Sequence, residues 1–219
     1  MEKLILLDID NTLFDSLCYR KKLFEAIAKK ITPEKSQEEI EALCQTIYEG
    51  HIATTGLFDF KEFTKEFSKK LQRVVKEEDI ASLVFDTQIL KGCMYPEVKD
   101  VLLRMTKVGT VGIVSQGQES MQRAKIKIIE KLLHPDKIYI KANKKEAIDT
   151  ILKENKDYKI IFIDDWLSLL HHVKQTAKQT IVIWSKRGRH AHGQLPIAGF
   201  EPDKIITSLD QALPFIEEI

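Results

Sequence analysis

The sequence predicts an α/β protein: a parallel β-sheet covered by helices on both faces, interrupted early by an all-helical module. Three observations carry this reading. An apolar run, Leu4-Ile5-Leu6-Leu7, opens the chain and stops at Asp8. Residues 17–90 then show only helical spacing of their apolar positions. After Pro96, short apolar runs alternate with helical stripes, the pattern of strand–helix–strand units around a parallel sheet. With 43% hydrophobic and 31% charged residues among 219, the chain can build a packed core and is not a disordered segment.

Each element follows from its local pattern. Residues 4–8 read as a buried strand. Leu23, Ala26, Ile27 and Ile31 form one amphipathic stripe, and Ile40, Leu43, Cys44 and Ile47 form a second. Phe60, Phe63, Phe67 and Leu71 make a third, read as the core of the helical module itself, and Ile80, Leu83 and Val84 a shorter fourth. Residues 51–56 read as a turn between the second and third helices. Beyond Pro96, Val98, Val101, Leu102 and Met105 give a helix, residues 111–114 a strand ending at Ser115, and residues 121–132 a helix. A strand at 138–140, a helix at 146–153, a strand at 160–163, a helix at 167–177 and a last strand at 180–184 complete the alternation. The predicted division is a core of residues 1–16 and 91–219 with a helical insertion at 17–90.

Lys plus Arg (34) nearly balance Asp plus Glu (33), so the net charge of +1 offers no whole-molecule attraction to nucleic acid or an acidic membrane surface. No apolar stretch is long enough to span a bilayer, and Asp8 interrupts the first apolar run too early for a signal peptide. Cys18, Cys44 and Cys93 form no CxxC pair and are expected to be reduced thiols of a cytoplasmic protein. The basic run at residues 186–192 reads as a solvated loop, and His190 and His192 lack the partner cluster of a metal site.

Three predicted strand ends carry polar groups: Asp8 with Asp10, Ser115, and the pair Asp164-Asp165. Ligands on open α/β sheets bind beyond the carboxyl ends of the strands. Asp8 and Asp10, spaced by one residue, leave the sheet on the same side, which suits a nucleophile beside a general acid/base. Asp8 would attack phosphorus, and Asp10 would protonate the leaving oxygen and later deprotonate water. Ser115 offers a hydroxyl to a phosphoryl oxygen, with backbone donors around Gln116 and Gly117. Asp164 and Asp165 would complete an oxygen-ligand Mg²⁺ site. The phosphoryl charge also calls for a lysine, and Lys141, Lys144 and Lys145 lie together. Lys144 is favoured because Ala147, Ile148, Ile151 and Leu152 follow it at i+3, i+4, i+7 and i+8.

Taken together, these motifs resemble the haloacid dehalogenase (HAD) superfamily of phosphohydrolases. Asp8-x-Asp10-x-Thr12 after an apolar strand matches the first motif, and Gly112-Ile113-Val114-Ser115 the second. Lys144 at a helix start matches the third, and Ile161-Phe162-Ile163-Asp164-Asp165 the fourth. The four occur in order across almost the whole chain. The resemblance implies a Rossmann-like HAD core with an inserted C1-type helical cap, of the phosphoglycolate-phosphatase-like subgroup. It implies Asp8, Asp10 and Lys144 as catalytic residues, and Thr12, Ser115, Gln116 and Gly117 as substrate-binding residues. The implied Mg²⁺ site takes Asp8, Asp10, Asp164 and Asp165, with Asp165 the direct ligand of the last pair and Asp10 contributing its backbone carbonyl. The implied activity is hydrolysis of a small phosphorylated metabolite through an aspartyl-phosphate. A phosphosugar mutase or a non-catalytic phosphate-ligand-binding protein on the same scaffold are the alternatives. Hydrolytic dehalogenation is disfavoured, because halide departure leaves an acid at Asp10 without work.

Overall fold

The computed structural model describes all 219 residues. In chain order the elements are β1 (Lys3–Leu7), α1 (Ser16–Ile31), α2 (Gln37–Thr55), α3 (Phe60–Leu71), α4 (Glu77–Val84), α5 (Thr87–Lys91), α6 (Val98–Met105), β2 (Thr110–Gln116) and α7 (Glu119–Ile126). There follow β3 (Ile138–Lys141), α8 (Lys144–Glu154), β4 (Lys159–Asp164), α9 (Leu167–Thr176), β5 (Ile181–Ser185), α10 (Gly188–His192), β6 (Lys204–Ile206) and α11 (Ala212–Glu218). The chain forms two compact units, one of Met1–Asp15, Met94–Gln116 and Lys125–Ile219, the other of Ser16–Cys93 with Gly117–Ala124.

The first unit is a Rossmann-like α/β layer structure. Its six strands are all parallel and run in the order β3-β2-β1-β4-β5-β6. β1 is central, paired along its two edges with β2 and β4, and Leu4 to Leu7, which point alternately to the two faces, are all fully buried. That is why the run reads as continuously apolar and does not alternate. Leu4 and Leu6 share one core with Phe162, Val182, and Ile148 and Ile151 of α8, closed by Leu169, Leu170 and Val173 of α9.

The second unit is helical. Side-chain oxygens cap α2 (Ser36), α3 (Asp59) and α5 (Asp86). Phe63 and Phe67 are fully buried and stack at 5.6 Å, with Phe24 stacked on Phe63 at 6.4 Å. The phenylalanine stripe is therefore the interior of this unit. No helix of the protein is long and apolar enough to cross a membrane.

Four local expectations need correction. Residues 51–55 are helical, not a turn: Thr54 and Thr55 donate their hydroxyls back to the Gly50 and His51 carbonyls at 2.8 and 3.0 Å, and Gly56 caps the end. The helix expected at 121–132 stops at Ile126, and a 3₁₀ turn, Glu130–Leu132, replaces its second half. β5 is not the last strand, because β6 adds an edge strand of three residues, too short to show a sequence period. Finally, residues 188–192 form the short helix α10, and the basic run is not simply solvated. Arg187 pairs with Glu97 and lies 4.1 Å over the Tyr95 ring.

One close approach in the sheet yields a test. A Cβ at Gly112 in β2 would lie 2.5 Å from the Lys137 carbonyl oxygen and 3.0 Å from Leu6 Cδ2. Gly112→Ala is expected to destabilise the protein by about 1–3 kcal/mol, the usual cost of overpacking, seen as a lower urea midpoint. An unchanged midpoint would show that β2 yields freely at this contact.

Candidate active site

Register alone brings two acids together. β1 pairs with β4 with Leu7 opposite Ile163, so the next residues, Asp8 and Asp164, leave the sheet side by side. The Asp8 N–H donates to the Ile163 carbonyl at 2.9 Å. The strand order reverses between β1 and β4, which makes this the crevice where such sheets bind ligands.

A lysine joins the two acids. Lys144 is the first residue of α8, whose start is set by Asn143: its Oδ1 accepts from the Glu146 N–H at 3.3 Å. Gln116 Oε1 accepts the Lys144 N–H at 3.1 Å, which ties the end of β2 to this helix. Because Lys144 shares its helix face with the buried Ile148, Ile151 and Leu152, its side chain runs inward and is only 3% exposed. Its ammonium donates to Asp8 Oδ1 at 2.6 Å and Asp164 Oδ2 at 2.7 Å. Lys141 and Lys145 are exposed. Asp164 Oδ1 is held in turn by the Trp166 N–H at 2.9 Å.

Asp165, also buried, points its Oδ2 at two groups. Asn11 Nδ2 donates to it at 3.0 Å, and His190 Nδ1 lies 3.2 Å away. Asn11 adopts a left-handed conformation (φ 59°), which Asn tolerates better than most residues. Gly188 is required beside it, with φ 66° and a hypothetical Cβ only 2.7 Å from Asn11 Oδ1. The Asp165 carbonyl accepts from Trp184 Nε1 at 3.0 Å and Gln194 Nε2 at 2.7 Å. His190 thus has the acidic partner that the sequence did not show, and its hydrogen bond to Asp165 raises its pKa above the ordinary imidazole value.

Asp10 departs from the expected pairing. β1 ends at Leu7, so the two-residue period stops before Asp10 is reached. The Asp10 carboxylate instead accepts two hydrogen bonds from Lys125 Nζ, at 2.7 and 2.8 Å. Lys125 is 7% exposed and was not singled out in the sequence. The acids whose oxygens converge are Asp8, Asp164 and Asp165, with ligand atoms within 4.8 Å of one another. The Asp10 side chain is not among them. Ser115 is buried at the end of β2, two positions beyond Ile113, the β-partner of Leu7. Gln116 spends its side chain on α8, and Gly117 follows β2 directly, in the segment grouped with the helical unit. Thr12 is buried, and its hydroxyl makes no hydrogen bond.

The electrostatics of the cluster follow from burial. Desolvation pushes the Asp8 carboxyl well above the usual range; the Lys144 ammonium opposes this, and the charges of Asp164 and Asp165 add to the rise. Burial also raises Asp164 against the same ammonium. Lys144 stays charged, since Asp164 and Asp8 outweigh the burial that would neutralise it. Three buried carboxylates thus face one buried ammonium. The excess negative charge and the all-oxygen donor set fit a hard divalent cation such as Mg²⁺.

The sequence matches no family model and no curated protein sequence. Solved structures share its fold. A haloacid dehalogenase-like hydrolase from Burkholderia xenovorans LB400 aligns with TM-score 0.77 at 17% identity, over 99% of this chain and 97% of that one. The HAD-hydrolase YfnB from Bacillus subtilis, bound to magnesium, aligns with TM-score 0.66 at 12% identity, over 98% of each chain. A HAD phosphatase from Thermococcus onnurineus aligns with TM-score 0.59 at 20% identity, over 98% and 97% of the two chains. L-2-haloacid dehalogenases also share the fold. The chain therefore has the fold of HAD-like hydrolases.

The lysine assignment is testable by stability. Lys144→Met strips the only buried ammonium from Asp8 and Asp164, a change that typically costs about 3–5 kcal/mol when one partner of a buried pair is removed. Both carboxyls are already raised, so they can escape by taking up protons. The loss is expected to be larger at pH 8 than at pH 5, read from thermal unfolding at both values. Lys145→Ala, at an exposed position, is expected to change stability by less than about 0.5 kcal/mol. Equal effects of the two substitutions would show that Lys144 does not hold the acids together.

Proposed function

We propose that the protein is a Mg²⁺-dependent phosphomonoester hydrolase of the HAD superfamily acting on a small phosphorylated metabolite, with Asp8 as nucleophile. The observation that carries the reading is the Lys144 ammonium shared between Asp8 and Asp164 inside a cluster of three carboxylates. These are the residues of the first, third and fourth motifs, assembled at the switch point of the sheet. The insertion of the helical unit after the first motif supports the C1-capped, phosphoglycolate-phosphatase-like reading, with that unit as the cap.

In this reading Asp8 attacks phosphorus and forms an aspartyl-phosphate, which water then hydrolyses. Lys144 holds the nucleophile in place and offsets charge on the phosphoryl oxygens. Ser115 and the backbone at Gln116 donate to those oxygens. Asp8, Asp164 and Asp165 would hold Mg²⁺, which when bound reduces repulsion between an anionic nucleophile and an anionic substrate. Asn11 and His190 orient Asp165 for that task.

Release of nitrophenol from p-nitrophenyl phosphate tests the reading. Turnover is expected with Mg²⁺, to fall to background with excess chelator, and to be absent in Asp8→Asn. Full activity in that variant, or turnover of a 2-haloacid in place of the phosphate ester, would overturn it.

Lys125 adds a refinement. Its ammonium holds the Asp10 carboxylate through both oxygens, so the acid–base role proposed for Asp10 depends on this contact for its position. Lys125→Met is therefore expected to slow turnover within the ~10²–10⁴-fold span of general acid–base catalysis. The loss should be greatest for alkyl phosphates, whose leaving groups need a proton, and smallest for nitrophenyl phosphate. A loss independent of the leaving group would assign Lys125 to structure alone.

A further inference from the structure

We propose that Cys18 and Cys93 are a modification site, a thiol pair that closes reversibly to a disulfide and fastens the two ends of the helical unit. The two residues are 75 apart in sequence, yet their sulfurs lie 2.6 Å from each other. Neither is in a disulfide. A disulfide has its sulfurs at about 2.05 Å, so closure asks for movement of roughly half an ångström. Cys18 sits in the first turn of α1 and Cys93 follows Gly92 at the end of α5, so the bond would enclose all five helices of Ser16–Cys93 in one loop.

The surroundings hold the pair in place. Cys18 Sγ also lies 3.5 Å from the Gly92 carbonyl oxygen, which accepts a hydrogen bond from Lys22 Nζ at 2.9 Å, one helical turn beyond Cys18. Gly92 leaves room for this, since a Cβ there would stand 2.6 Å from Lys22 Nζ. The two thiols differ in access: Cys18 is half-buried, whereas Cys93 is 2% exposed. Cys44 is fully buried, and burial pushes its thiol up to about 12, which leaves it unreactive at neutral pH.

This difference sets the order of events with a low-molecular-weight disulfide such as oxidised glutathione. Cys18 loses its proton and its sulfur attacks one sulfur of the reagent, expelling one glutathione thiolate and leaving a mixed disulfide. Cys93 then loses its proton, attacks the Cys18 sulfur and expels the second thiolate. Two protein thiols are oxidised, one glutathione disulfide is reduced to two thiols, and the two protons end on the leaving groups. The closed loop restricts the unfolded chain, so the oxidised protein should melt higher.

The test starts from fully reduced protein incubated with oxidised glutathione. The expected product has lost two hydrogens in mass, retains one titratable thiol under denaturing conditions, and yields a non-reduced peptide joining Cys18 to Cys93. Its melting temperature should exceed that of the reduced protein by at least about 4 °C and return on reduction. Cys93→Ser should instead stop at one glutathione bound to Cys18. A lasting glutathione adduct on the unaltered protein, three remaining thiols, a bond to Cys44, or an oxidised form that melts no higher would each overturn the proposal.

Discussion

The ion triad Asp8–Lys144–Asp164 is the constraint on which the rest of the α/β unit depends. It ties three elements that lie far apart in the sequence: the end of β1, the first residue of α8 and the end of β4. All three side chains are almost wholly buried, so each needs the others. A buried ammonium between two buried carboxylates is tolerable only if the strands present those acids side by side and the helix begins at the right residue. The parallel register of β1 on β4 supplies the first condition, and the Asn143 cap with the Gln116 acceptor supplies the second.

Much of this arrangement could be read from residue order because the signals are local. An apolar run that ends in a polar group marks a buried strand opening onto a site, and Asp8, Ser115 and Asp164 were visible for that reason. Lys144 was visible because one apolar stripe runs down its own helix face, and the same stripe draws its side chain inward. Partners brought in by tertiary pairing carried no such signal. Lys125 reaches Asp10 from 115 residues away, His190 reaches Asp165 from within a run that reads as a basic loop, and Cys93 meets Cys18 across the whole helical unit. β6 escaped because three residues on a sheet edge cannot display a period.

The helical unit shows the complementary case. Its stripes were legible as amphipathic helices, and its buried aromatic residues turn out to pack on one another, Phe63 on Phe67 at 5.6 Å and Phe24 on Phe63 at 6.4 Å. Side chains spent on this interior are not available to select a ligand. Substrate choice, if this unit exercises it, must come from its polar and half-buried residues. Those are the positions at which a single sequence is least informative, because exposure places few demands on residue type.

Asp8 and Asp10 stand one residue apart and could have shared one environment. The structure gives each its own lysine. Asp8 is buried, its oxygen on Lys144, and its carboxyl is pushed upward by desolvation and by two neighbouring acids. Asp10 is part-exposed, with both oxygens on Lys125 and its side chain outside the three-acid cluster. Two like groups in unlike surroundings can take unlike roles, which is how one site runs nucleophilic and acid–base chemistry at a single pH. The end of β1 at Leu7 creates the split, since one further extended residue pair would have aimed both carboxylates into the same cluster. The separate surroundings of the two acids are thus a consequence of where the strand stops.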